Sequence, residues 1–134
     1  MIRIYTDGSC LKNPNGPGGW AYLYMLNNVI QKGSGGVLST SNNRMEIQAV
    51  IEGLKNIRKN IEKQVRFKII TDSKYVINCA TGVFKRNKNL DLWTEYDKAA
   101  NGLLFDFEWV KGHSGDVFNN KVDILARTEA HKFK

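Results

Sequence analysis

Three β-forming stretches joined only by turn residues, followed by helical and strand patterns in alternation, constrain this chain more than any other feature. Ile2 to Asp7 reads as a short strand ending at Asp7-Gly8-Ser9, and the run from Asn13 to Gly19 reads as a turn. Trp20 to Leu26 is an aromatic-rich strand, Asn27-Asn28 is a two-residue break, and Val29 to Leu38 is a third strand, together an antiparallel meander. Behind the capping types Ser39-Thr40-Ser41-Asn42-Asn43, the residues Ile47, Val50, Ile51, Leu54 and Ile57 recur at helical spacing. They predict a helix over 43–59 with Lys55, Arg58 and Lys59 on its outer face. A strand over 65–71, a short helix over 73–81 ending at Gly82, a basic segment 83–90 and a helix over 90–101 follow. A last strand over 104–110, a loop over 111–116 and a helix over 117–130 complete the chain. A meander followed by βα units implies a mixed sheet with helices packed on it.

The size and composition fit that architecture in one domain. At 134 residues there is material for a single core spanning 1–134, and 42% hydrophobic with 25% charged residues is ordinary for a globule. Twenty Lys and Arg against thirteen Asp and Glu leave a net charge of +7, which favours a polyanionic partner, nucleic acid before a membrane surface. The longest apolar run, Trp20 to Leu26, is far short of the roughly 20 residues of a membrane-spanning helix. No signal peptide is apparent after Met1, and Cys10 and Cys79 form neither a disulfide framework nor a thiolate zinc site. An intracellular, cytoplasmic location without membrane attachment is the expectation.

Four acids stand out by position. Asp7 falls at the end of the first strand and Asp72 just past the end of the fourth; if these strands are parallel neighbours, both carboxylates open onto one end of the sheet. Glu46 lies in the first turn of its helix and Asp123 early in the last one. Carboxylates brought within a few ångströms raise each other's pKa or demand a cation, and an all-oxygen donor set suits Mg²⁺ or Mn²⁺. Each acid alone also fits local work. Asp72 can cap the following helix, Glu46 can close a capping box with Asn43, and Asp123 can favour a helix N-terminus.

Five strings change that balance: Tyr5-Thr6-Asp7-Gly8-Ser9-Cys10, Asn42-Asn43-Arg44-Met45-Glu46, Thr71-Asp72-Ser73, Trp109-Val110-Lys111-Gly112-His113-Ser114-Gly115, and Asn119 followed by Val122-Asp123-Ile124-Leu125-Ala126. In this order and at this spacing the chain resembles ribonuclease H of type 1. The resemblance implies an α/β, ribonuclease H-like fold, a five-stranded mixed sheet with the first three strands antiparallel, flanked by helices. It implies an endonuclease that hydrolyses the RNA strand of RNA/DNA hybrids at two Mg²⁺ ions, for which Mn²⁺ can substitute, leaving 5′-phosphate and 3′-hydroxyl ends. Carried over by position, the metal-holding carboxylates are Asp7, Glu46, Asp72 and Asp123, with Asp7 bridging both ions, and His113 assists proton transfer or product departure. The hybrid would be touched by Gly8, Ser9, Asn13, Asn42, Asn43, Lys74 and Asn119, with Ser41 and Asn89 at a DNA-phosphate pocket and Arg44 structural. A monomer with no protein partner is expected.

The chain departs from the family pattern in places. Many bacterial members carry a long basic, Trp-rich protrusion, whereas the interval from Gly82 to Leu90 here is short and offers only Lys85, Arg86 and Lys88. Lys74 stands where Gln is frequent and Asn120 replaces a frequent Glu, and the expectation is that no separate hybrid-binding domain precedes Met1. Hybrid binding is therefore expected to be weaker and more salt-sensitive than in protrusion-bearing relatives. Three rivals are weighed: an inactive nucleic-acid-binding module, which would lose an acid; another nuclease or recombinase on the same fold; and a nucleotide binder using Asn13 to Gly19, which lacks a Gly-Lys-Ser/Thr after the turn.

Overall fold

Side chains that alternate along each strand build two cores, one on each face of a single sheet. In the computed structural model, which describes every residue except 113 and 114, the strands are β1 (Ile2–Cys10), β2 (Gly16–Leu26), β3 (Val29–Thr40), β4 (Arg66–Thr71) and β5 (Leu104–Trp109). The helices are α1 (Asn42–Asn60), α2 (Lys74–Ala80), α3 (Leu90–Ala100) and α4 (Val117–His131). The sheet order is β3-β2-β1-β4-β5; β1, β2 and β3 pair antiparallel, and β4 joins β1 and β5 in parallel. This is the expected mixed sheet flanked by helices.

Ile4, Tyr22, Tyr24, Phe67 and Ile69 point to one face and pack with Ile47, Ile51 and Leu54 of α1 and Trp93 and Tyr96 of α3. Their neighbours Tyr5, Ala21, Leu23 and Ile70 point to the other face and meet Val122 and Ala126 of α4. Each fully buried aliphatic side chain contributes about 1.5–3 kcal/mol, so both faces are firmly closed. The period-two alternation puts Asp7 on the α4 side, with Tyr5, and Gly8 on the α1 side, with Ile4.

Two expectations need correction. Gly16 to Gly19 are strand, not turn: Gly18 pairs with Cys10 and Gly19 with Ser9, so the turn shrinks to 11–15. The glycines serve close packing, since a Cβ on Gly19 would collide with the backbone carbonyl of Ala126 in α4. Asp7 consequently does not end its strand. β1 continues to Cys10 along β2, whereas its pairing with β4 stops at Tyr5 and Ile70. Asp7 therefore projects beyond the parallel pair, which is the position that matters for the site. Among the described residues, no helix is long and apolar enough to cross a membrane.

Candidate active site

Asp7, Glu46 and Asp72 come from three elements and converge, one carboxylate oxygen from each lying within 4.8 Å of the others. Asp7 is 4% exposed on β1, while Glu46 and Asp72 are half-buried. Glu46 is drawn in by the strand beneath it: its Oε1 accepts a 2.8 Å hydrogen bond from the Gly8 N–H. That approach requires glycine, because a Cβ on Gly8 would run into the backbone of Met45 and Glu46.

The local roles open to these acids are taken by other residues. Ser41, not Asn43, caps α1 by accepting from the Arg44 N–H at 3.3 Å, so no capping box forms with Glu46. Ser73, not Asp72, caps α2 by accepting from the Val76 N–H at 3.1 Å. Asp116 caps α4 through the N–H groups of Phe118 and Asn119, and Asp123 lies beyond the first turn. These acids are thus not spent on capping.

Crowding shows in their protonation. Asp7 is pushed up to about 8, chiefly by burial, then by the charge of Asp72 and by the neighbouring Asp123 carboxyl. Burial, with the charges of Asp7 and Asp72, also lifts Glu46 well above the usual carboxylate range. Asp123 is near enough to share a hydrogen bond with Asp7 but stands outside the group of three; its Oδ2 pairs with Arg127 of α4 at 3.0 Å. An all-oxygen cluster that resists ionising together is the donor set a hard divalent cation stabilises, so the residues fit Mg²⁺ or Mn²⁺. A cavity of about 510 Å³ lies elsewhere, at the N-terminal end of β1 beside Arg3, Tyr5 and Phe118.

The other expected residues lie as follows. Gly8 and Ser9 continue β1 beside Asp7. Asn13 Oδ1 accepts from the Asn42 N–H at 3.0 Å, tying the turn to the start of α1, where Asn42 and Asn43 are exposed. Asn89 precedes α3 with a left-handed backbone (φ 58°) and accepts from Arg44 Nη1 at 3.3 Å. Asn119 is buried at the start of α4, and its side-chain carbonyl has no hydrogen-bond partner among the described residues. His113 lies outside the described residues.

Trp109 is a neighbour of the site that sequence reasoning did not single out. Its indole N–H donates to the Asp72 carbonyl at 3.1 Å, and the Lys74 ammonium lies 4.5 Å from its ring centre. Its place at the end of the last strand, at the head of the string Trp109-Val110-Lys111-Gly112, was the available signal. Arg86, expected on a basic surface, instead folds back. Its Nε donates to the Cys79 carbonyl at 2.9 Å, Nη1 pairs with Asp97 at 2.9 Å, and the guanidinium lies 4.8 Å over Trp93.

A family model for RNase H matches residues 1–131. Ribonuclease H of Campylobacter curvus is 39% identical over 99% of this chain and 95% of its own length. Ribonuclease HI of Xylella fastidiosa is 41% identical over 97% of this chain and 92% of its own length. The N-terminal RNase H domain of a Mycobacterium tuberculosis protein superposes with a TM-score of 0.86 at 22% identity, over 98% of this chain and 94% of that one. LC11-RNase H1, solved in complex with RNA/DNA hybrid, gives 0.83 at 21% identity, over 98% of both chains. These two structures match in fold. The chain belongs to the ribonuclease H family, endoribonucleases of RNA/DNA hybrids, and the type 1 assignment is consistent with its relatives.

Proposed function

We propose that this ribonuclease H cuts the RNA strand of RNA/DNA hybrids by two-metal-ion hydrolysis, leaving 5′-phosphate and 3′-hydroxyl ends. The observation that carries the reading is the convergence of Asp7, Glu46 and Asp72 with Asp123 alongside. Asp7, Glu46, Asp72 and Asp123 would hold the two ions, Asp7 serving both, Glu46 and Asp72 one of them and Asp123 the other. When bound, two Mg²⁺ ions, or Mn²⁺ in their place, supply a water of lowered pKa and neutralise charge on the departing 3′-oxygen.

The chain's own groups set the selectivity. The 2′-hydroxyl, both donor and acceptor, marks RNA at a given nucleotide. Glu46 and the backbone of Gly8 and Ser9 read it, while the amides of Asn13, Asn42, Asn43 and Asn119 supply paired donors and acceptors along the groove. Lys74, resting on Trp109, adds charge beside Asp72. Ser41 and Asn89 hold a phosphate of the DNA strand. His113, whose imidazole can both donate and accept a proton, assists proton transfer or product departure. The protein works as a cytoplasmic monomer with no protein partner.

The test is Asp72→Asn. Hydrolysis of a labelled hybrid should fall below detection while the thermal unfolding transition remains cooperative. Retained cleavage in that variant would overturn the assigned role.

A further inference from the structure

Arg44 occupies the first turn of α1 with its guanidinium directed at α3. Nη1 and Nη2 donate to the two carboxylate oxygens of Asp91 at 3.0 and 2.7 Å, and Nη1 also donates to Asn89 Oδ1 at 3.3 Å. Asn89 in turn donates from Nδ2 to the Tyr75 hydroxyl at 3.0 Å. Its side chain makes no capping bond to α3, so the amide is held by Arg44 and Tyr75 rather than by its own helix.

Hydrogen-bond accounting then leaves two donors over. An amide nitrogen carries two N–H groups, and Tyr75 takes one from Asn89. The Ser41 Oγ already accepts from the Arg44 N–H at 3.3 Å, so its own O–H is left to donate elsewhere. Among the described residues nothing accepts either proton, and both side chains are partly exposed. Each spare donor is one hydrogen bond from Arg44, Ser41 through the backbone N–H and Asn89 through the guanidinium. Glu46 follows two residues later in the same helix.

We propose that Arg44, braced by Asp91, is a positioning residue that together with Tyr75 orients the Asn89 amide, so that Asn89 and the N-cap residue Ser41 form a two-donor seat for one DNA-strand phosphate. The inference rests on the phosphate reading of Ser41 and Asn89 and extends it to the residues that organise the pair. The Arg44 guanidinium is committed to Asp91 and Asn89, so in this reading it acts through Asn89. A clamp that merely joined α1 to α3 would affect stability and leave phosphate recognition alone.

The experiment replaces single DNA-strand phosphates of a hybrid with neutral methylphosphonate and measures kcat and KM. Wild-type protein should lose kcat/KM by about tenfold at one position, mainly through KM. Asn89→Ala should show a similar loss on unmodified hybrid and no further penalty at that position. Arg44→Lys keeps a point charge for Asp91 but cannot fork to Asn89, and it should behave like Asn89→Ala with kcat nearly retained. Asp91→Asn, read in parallel, should reduce the penalty if the lysine variant folds poorly. If the arginine and aspartate variants fold and keep the full wild-type penalty, Arg44 is only a clamp and the inference falls. If wild type shows no sensitive position, or Asn89→Ala keeps the penalty, the phosphate reading itself falls.

Discussion

Glu46 accepts a 2.8 Å hydrogen bond from the backbone N–H of Gly8, so the N-terminal part of α1, just past its first turn, is fastened to β1 one residue from Asp7. This bond seats a helix-borne carboxylate against a strand-borne one. It works only because residue 8 has no side chain.

Gly8→Ala should therefore be damaging on both counts. The methyl group must displace the backbone of Met45 and Glu46, at a cost of about 1–3 kcal/mol. Hydrolysis should fall by more than tenfold as Glu46 moves away from Asp7. Denaturant unfolding and a hybrid-cleavage assay on the same preparation check both effects.

The carboxylate cluster links stability to pH and metal. Folding raises the Asp7 pKa to about 8, against about 3.9 for an unperturbed aspartate. A carboxyl with a raised folded pKa makes the fold less stable as pH climbs from the unfolded value to the folded one. Metal-free protein should thus lose Tm between about pH 4 and pH 8 from this site. Saturating Mg²⁺ should raise Tm by on the order of a few degrees at pH 8 and by much less at pH 5. Asp72→Asn, which removes a repelling charge, should raise the Tm of the metal-free protein at pH 8. Thermal melts with Mg²⁺ and with chelator across this range measure all three effects.

The three basic residues of the 82–90 segment should separate by role. Arg86 braces the segment against α3, so Arg86→Ala should cost about 1–3 kcal/mol of stability. Lys85 and Lys88 are exposed, so their alanine variants should leave stability unchanged. If they reach hybrid phosphates, each should reduce the slope of log affinity against log salt by about 1. The wild-type slope itself should show affinity falling steeply with salt, and tight binding at high ionic strength would contradict the expectation drawn from the short segment.

What could be read from sequence, and what could not, follows from the range of the interactions. Alternation in Ile4-Tyr5 and Tyr22-Leu23, and the helical spacing of Ile47, Val50, Ile51 and Leu54, are local signals, and they place both faces of the sheet. Asp7, Glu46 and Asp72 could be brought together in thought once β1 and β4 were taken as parallel neighbours. The Gly16–Gly19 strand was hidden because glycines that serve close packing against α4 look like turn glycines. The inward turn of Arg86 depends on Trp93 and Asp97 across α3, and the bond from Trp109 to Asp72 joins two strands' ends. The pairing of Asp123 with Arg127 is a helical i, i+4 contact, visible in principle, but its competition with the cluster appears only in three dimensions.

The central claim is that one carboxylate cluster, loaded with divalent metal, cuts RNA only when it is paired with DNA. The most direct measurement offers end-labelled RNA/DNA hybrid, RNA/RNA and DNA/DNA duplexes to the protein with Mg²⁺, then with chelator. The account predicts cleavage of the hybrid's RNA strand alone, with 5′-phosphate and 3′-hydroxyl ends, abolished by chelation. Cleavage that persists without metal, or that proceeds equally on RNA/RNA, would contradict it.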